Sequence, residues 1–176
     1  GDRDLLGRLA DVFGFHFEAV SPLMIDGERI SSTRVRQAIR DCNLDAAHKM
    51  LGRPYTVAGK VVEGRKLGRQ LGFPTANLER GEEQYPPDGV WAVRATVKGQ
   101  IRDGVANLGV RPTVDGRSRT LEVHFFGEVG DLYGELVEVE FVRYLREEQK
   151  FADLEQLKGQ LGRDVEAGWQ VLRGGA

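Results

Sequence analysis

The sequence predicts a mainly β protein, an antiparallel sandwich or barrel that follows a helical segment and is closed by a helix. Three observations carry that expectation. From Tyr55 onward apolar residues recur with period two, and the candidate strands are separated by Gly, Pro and Asp turns with no helix between them. The residues before Gly52 follow a helical period instead. The chain closes on a stripe at spacings of three and four: Leu154, Leu157, Leu161, Val165, Trp169 and Leu172.

In chain order, Leu5, Leu6, Leu9, Val12 and Phe13 share one helical face, and residues 15–20 suit a short strand. Ser32 or Thr33 is placed to cap a helix carrying Val35, Ala38 and Ile39, since a side-chain oxygen can accept from the free N–H groups of a helix start. Asn43 is placed to cap another, with Ala46, Ala47, Met50 and Leu51 inward and Gly52 as its stop. Residues 1–52 are too few and too helical for an independent domain and read as the tail of a larger α/β unit; residues 53–176 form the second unit. Its strands are expected over 55–63, 89–97, 101–108, 120–126 and 136–143, with a short extended piece over 75–78. Trp91, Val93, Ala95 and Val97 alternate with Val90, Ala92, Arg94 and Thr96, and Lys98-Gly99-Gln100 marks a tight hairpin. Leu121, Val123 and Phe125 alternate with Glu122, His124 and Phe126. Asp153 followed by Gln156 resembles a capping box at the start of the last helix, which is expected to pack on the sheet.

Composition narrows the function classes. With 176 residues, 40% hydrophobic and 30% charged, the chain can bury a core without disulfide staples. A net charge of -2 supplies no basic field for nucleic acid. No apolar run approaches the ~20 residues of a membrane span, so neither nucleic acid nor membrane is an expected partner. The single Cys42 has no internal disulfide partner, which suits a reducing, cytoplasmic setting, and it reads as an incidental residue rather than a nucleophile. The chain begins at Gly1 rather than Met, consistent with a start lying upstream. Oligomeric state is not legible.

The densest chemistry lies in Gly64-Arg-Lys-Leu-Gly-Arg-Gln-Leu-Gly-Phe-Pro-Thr-Ala-Asn77. Gly64, Gly68 and Gly72 recur every fourth residue beside Arg65, Lys66 and Arg69. Glycines let backbone N–H groups approach an anion closely, and the cations add charge. Thr75 and Asn77, two residues apart, point the same way in an extended segment and carry oxygens suited to a hard cation such as Mg²⁺. The spacing is not that of a P-loop. From these residues alone, a phosphate and metal site and a solvated basic loop both stand. Glu122, with His124 on the same face, is likewise either a solvated carboxylate or a placed base.

The segment resembles the signature of riboflavin kinases, and the resemblance continues in order downstream. Asn107-Leu-Gly-Val-Arg-Pro-Thr113 looks like that family's second motif, Leu121-Glu-Val-His124 with Asp131-Leu-Tyr-Gly134 its third, and Leu145-Arg-Glu-Glu-Gln-Lys-Phe151 its fourth. The likeness covers roughly residues 53 to 172. Upstream, Ile30-Ser-Ser-Thr-Arg-Val-Arg36 is similar to the end of the FMN adenylyltransferase module that precedes the kinase in bifunctional bacterial enzymes. The resemblance implies a six-stranded antiparallel Greek-key barrel with a C-terminal helix, preceded by a remnant of a nucleotidyltransferase domain.

It also implies transfer of the ATP γ-phosphate to riboflavin, giving FMN and ADP, with Mg²⁺ as the metal. Glu122 falls on the family's catalytic carboxylate, as general base for the ribityl 5′-hydroxyl. Thr75 and Asn77 fall on its metal- and phosphate-binding pair. Gly64, Gly68, Arg69 and Gly72, with Arg65, belong to the phosphate loop, which is expected to act as a lid. Asn107, Arg146 and Glu148 are implied to border the flavin, with Asn107 and Pro112-Thr113 marking a loop near it. Gly127, Val114 and Trp91 depart from the residues common in the family at their positions. The adenylyltransferase's early H-x-G-H is missing around His16, His48 and His124, so this chain alone is not expected to make FAD, whereas a full-length protein is. Rival readings are a non-catalytic flavin or nucleotide sensor on the same scaffold, and a protein-interaction barrel like those of translation factors.

Overall fold

Alternation along a strand sends one row of side chains inward and the other outward, and six such strands here close on themselves. The computed structural model describes residues 2–64, 67–79, 81, 84–113 and 116–174, with backbone alone over 111–113 and 116–118. Barrel strands β3 (Thr56–Val62), β4 (Ala76–Leu78), β5 (Gly89–Val97), β6 (Gln100–Thr113), β7 (Gly116–Phe125) and β8 (Leu136–Arg146) follow the order β3-β4-β7-β6-β5-β8, and β8 pairs back to β3. Every pairing is antiparallel. Three consecutive strands, β5, β6 and β7, lie side by side, and β8 returns to flank β5, which is the Greek-key order.

The inward row fills the barrel: Val57, Trp91, Val93, Val123, Val137, Val139 and Phe141 are all buried. Trp91 meets Phe141 and Tyr144 edge-on, at centroid separations of 5.4 and 5.0 Å, and its indole N–H donates to the Pro87 carbonyl at 3.1 Å. The β5–β6 hairpin turns through Lys98 and Gly99, both at positive φ (48° and 75°), the geometry that matches strand twist in a two-residue turn.

Three helices precede the barrel: α1 (Arg3–Phe13), α2 (Ser32–Arg40) and α3 (Leu44–Leu51). Asn43 caps α3 through Ala46 N–H, and Gly52 ends it at φ 68°. The cap of α2 is Ser31, one residue before the expected position; its hydroxyl accepts from Arg34 N–H at 3.3 Å. The strand expected over 15–20 is not formed. Instead β1 (Met24–Ile25) and β2 (Glu28–Arg29) make a minimal hairpin through Asp26-Gly27, both at positive φ. That Asp-Gly pair supplies a local turn, whereas 15–20 finds no strand to pair with. Ile39, Leu44 and Ala47 join the same apolar cluster as Val57 and Trp91, while Val12 and Phe13 of α1 stay exposed.

A one-turn helix, α4 (Leu67–Gln70), lies inside the glycine-rich loop. The last helix, α5 (Leu154–Arg173), starts at Asp153, whose carboxylate accepts from Gln156 N–H at 2.8 Å. It lies across the outer face of β5, β6 and β8. Gly168 permits the close approach: a Cβ there would stand 2.5 Å from Val105 Cγ1. Next to it, Trp169 stacks on Phe126 at 4.6 Å and carries the Arg173 guanidinium on its ring at 3.9 Å.

Candidate active site

The site grows from three neighbouring strands. In the β4–β7–β6 ladders Asn77 pairs with Glu122, and Glu122 with Asn107, so these side chains form one row across the sheet. Leu121 and Val123 are buried in the barrel, and the period of two therefore turns Glu122 to the outer face. Thr75, just ahead of β4, donates its hydroxyl to Glu122 Oε2 at 3.4 Å.

His124, two residues on from Glu122, pins the segment that carries Thr75. Its Nδ1 lies 2.9 Å from the Pro74 carbonyl oxygen, which can only accept, so Nδ1 holds the proton. Its ring meets Phe73 edge-on at 5.5 Å. Two glycines of the loop fit by having no side chain: a Cβ on Gly64 would fall on the Asn77 carboxamide, and one on Gly68 on the Phe73 carbonyl oxygen. Phe73 N–H in turn donates to the Gly68 carbonyl at 2.8 Å. Gly72 sits at φ 89°, where a side chain would be strained.

Two cavities meet at Thr75, which lines both. One, of about 300 Å³, lies between the outer face of the barrel and α5. Its walls are apolar (Val105, Leu157, Leu161 and Val165 among them), with Leu67 and Leu71 from the glycine-rich loop. Glu122, Asn107, Arg146 and Glu148 supply its polar edge. The other, about 710 Å³ and more open, is lined by Arg69, Pro74, Glu128, Asp131 and Tyr133.

The sequence-based candidates are thus largely drawn together. Gly68, Thr75, Asn107, Glu122, Arg146 and Glu148 border the narrower cavity, and Arg69 and Thr75 the wider. Asn77 stands beside Glu122 in the ladder, backed by Gly64. Asn107, expected to mark a loop, instead lies within β6, which continues through Pro112 and Thr113 and pairs them with Arg117 and Gly116. Its carboxamide donates to Glu148 Oε1 at 3.0 Å. Arg146 is held by Asp164 of α5, with Nε to Oδ1 at 2.7 Å and Nη2 to Oδ2 at 2.6 Å. Arg65, Lys66 and Val114 lie outside the described residues.

Sequence reasoning missed the α5 wall and Asp164. A signal was present: Asp164 lies on the stripe of Leu157, Leu161 and Leu172, where an unpartnered acid would be costly. It also missed the wider cavity's Glu128, and it gave no role to Asp131, which lines the same cavity from within the motif Asp131-Leu-Tyr-Gly134.

Among the described residues no group of three or more His, Cys, Asp or Glu side chains is placed to hold a metal by itself. The hydroxyl oxygen of Thr75 and the carboxamide oxygen of Asn77, on the strand beside Glu122, are of the kind that would suit a hard cation such as Mg²⁺.

The family described as flavokinase, riboflavin kinase, matches residues 51–172. The chain is 46% identical over 168 residues to a bifunctional riboflavin kinase/FMN adenylyltransferase of Pseudomonas fluorescens, covering 95% of this chain and 54% of that protein. Proteins of the same description from Haemophilus influenzae and Escherichia coli K12 are 43% and 44% identical, over 94% and 93% of this chain and 54% and 53% of theirs. The chain spans about half the length of the curated relatives it matches. A crystal structure described as a macrolide-efflux protein from Streptococcus pneumoniae superimposes with a TM-score of 0.75 at 37% identity, covering 93% of this chain and 54% of that one. Among the described residues no helix is long and apolar enough to cross a membrane.

Proposed function

The chain belongs to the riboflavin kinase family, and on that premise we propose that it transfers the γ-phosphate of ATP to the 5′-hydroxyl of riboflavin, giving FMN and ADP. One observation supports this above others: Glu122 and Thr75 meet where two cavities of different character adjoin. The narrow, apolar-walled cavity suits the isoalloxazine ring, with Asn107, Arg146 and Glu148 at its polar edge. The wider one suits the nucleotide, with Arg69 of the glycine-rich loop toward its phosphates. A hydroxyl on the flavin side of Thr75 then faces a phosphate on the other.

Phosphoryl transfer asks mainly for alignment and charge neutralisation. Glu122 is placed to accept the proton of the ribityl hydroxyl, and its hydrogen bond from Thr75 orients the carboxylate. Thr75 and Asn77 would hold Mg²⁺, which when bound neutralises charge on the transferring phosphate. Leu67 and Leu71 on one side of the loop and Arg69 on the other would let residues 67–72 close over both substrates as a lid. Residues 1–52 are proposed as the end of an FMN adenylyltransferase domain, 53–176 as the kinase, and FAD synthesis as a property of a longer protein. The cytoplasm is the proposed setting, with neither nucleic acid nor membrane as partner.

The test is a chromatographic assay with riboflavin, ATP and Mg²⁺ that resolves FMN from FAD. FMN without FAD is expected. No product with riboflavin still bound would move the reading to a non-catalytic flavin-binding module. Glu122→Gln is expected to lower kcat by about 10²–10⁴-fold with riboflavin affinity retained. Turnover within tenfold of the unaltered chain would remove Glu122 from the role of base.

A further inference from the structure

We infer that Asp164, on the C-terminal helix, is a positioning residue for riboflavin, fixing the Arg146 guanidinium in the wall of the flavin cavity. The inference rests on the riboflavin kinase reading above.

Asp164 is 4% exposed and is the buried charged residue among those described. It reaches Arg146 from a different element: Arg146 ends β8, and Asp164 is the first of the buried residues along α5, ahead of Gly168 and Leu172. The two side chains meet as a fork, Nε to Oδ1 at 2.7 Å and Nη2 to Oδ2 at 2.6 Å. Gln160, one helical turn earlier, donates a second hydrogen bond to Oδ1 at 2.8 Å, which holds the carboxylate itself in place. Arg146 Nη1 donates to the Glu147 carbonyl at 2.7 Å.

A guanidinium has five N–H donors. Three are used here, which leaves one on Nη1 and one on Nη2. Both Arg146 and Asp164 line the narrower cavity, so the fork decides the plane in which those two donors are offered. The carbonyl oxygens of an isoalloxazine ring are acceptors of the matching kind. A merely stabilising role explains the pair less well, because an apolar pair in a buried position is commonly as stable or more so. Asp164 is not a base for the reaction, since both of its oxygens are engaged by Arg146. Its action is on the flavin and not on the nucleotide, whose proposed cavity it does not line.

Three variants test this: Asp164→Asn, Arg146→Lys and the double variant. Riboflavin affinity is read from flavin fluorescence, alongside KM for riboflavin and for ATP. Turnover by the unaltered chain tests the kinase reading; flavin affinity of the variants tests Asp164, so the two can fail separately. Asp164→Asn is expected to weaken riboflavin about tenfold and to leave the ATP KM within about twofold, because an amide cannot hold the fork. Arg146→Lys should match it, since an ammonium is a point charge with no planar edge. The double variant should be no worse than Arg146→Lys alone, as expected when two residues act as one unit. A folded Asp164→Asn chain with a lower melting temperature but unchanged riboflavin affinity makes the pair structural and overturns the inference. If Asp164→Asn does not fold, Arg146→Lys decides alone, and unchanged riboflavin affinity there overturns it.

Discussion

Tyr144 connects one side chain's surroundings to the stability of the whole barrel. It packs edge-on against Trp91, and its hydroxyl donates to the Asp88 carbonyl at 3.4 Å. Burial pushes its pKa above 10.0, and the Glu147 carboxylate pushes it further the same way. The folded chain therefore holds this proton at a pH where the unfolded chain releases it. Stability from Tyr144 is complete below the unfolded value and is lost as pH rises through the folded one. Melting temperatures of the unaltered chain should fall as pH is raised above about 10, and Tyr144→Phe should fall less steeply. Parallel curves would show that the phenol does not titrate in that window. Cys42, in the α2–α3 turn, is exposed; the partial desolvation left to its thiol, and then the Asp41 carboxylate, push its pKa up. At this scale Glu122, Thr75 and Asn77 could be singled out from the sequence, because a motif names residues that are close along the chain or matched in pattern. Asp164 could not be paired with Arg146, because eighteen residues and a loop separate them and only the docking of α5 brings them together.

At the scale of elements, period and turn chemistry located every barrel strand, while pairing decided where the strands stopped. Asn107 and Pro112-Thr113 read as a loop, where Asn, Gly and Pro cluster, yet they lie in β6, in register with Glu122, Arg117 and Gly116 of β7. Ladder hydrogen bonds override the local preference. The same limit applies to α5: its stripe predicts a helix packed on the sheet, and the helix indeed covers β5 and β6, but nothing in the stripe reveals that half of that face walls a cavity. Gly168 sets how closely the helix approaches. Gly168→Ala would place its Cβ 2.5 Å from Val105 Cγ1 and 3.1 Å from Phe126 Cζ. The expected cost is about 1–3 kcal/mol, from overpacking that exceeds the gain in helix propensity. Chemical denaturation checks this, and a variant as stable as the parent would mean that α5 can shift outward freely.

Across the whole molecule, order should follow the closure of the barrel. Strands β5, β6 and β8 are paired along most of their length, whereas β3 and β4 share only two register pairs, Val61 with Leu78 and Val62 with Asn77. In α1, Val12 and Phe13 are 74% and 73% exposed. Amide hydrogen exchange should therefore be slowest in β5 and β8 and at least about 100-fold faster in α1, because local opening tracks how few buried contacts an element has. Protection of α1 equal to that of β5 would mean that another surface covers its apolar face in solution.

The sequence by itself determined the antiparallel architecture, the capped α3 and α5, and the family to which the chain belongs. Each of these rests on short-range information: alternation, capping residues, turn dipeptides and motifs that are contiguous in the chain. Only the tertiary structure decided that Asn77, Glu122 and Asn107 form a row, that two cavities adjoin at Thr75, and that Arg146 is clasped by Asp164. Those facts depend on strand register and on the docking of α5. Both are settled by burial and pairing between residues far apart in the chain, which no local pattern encodes.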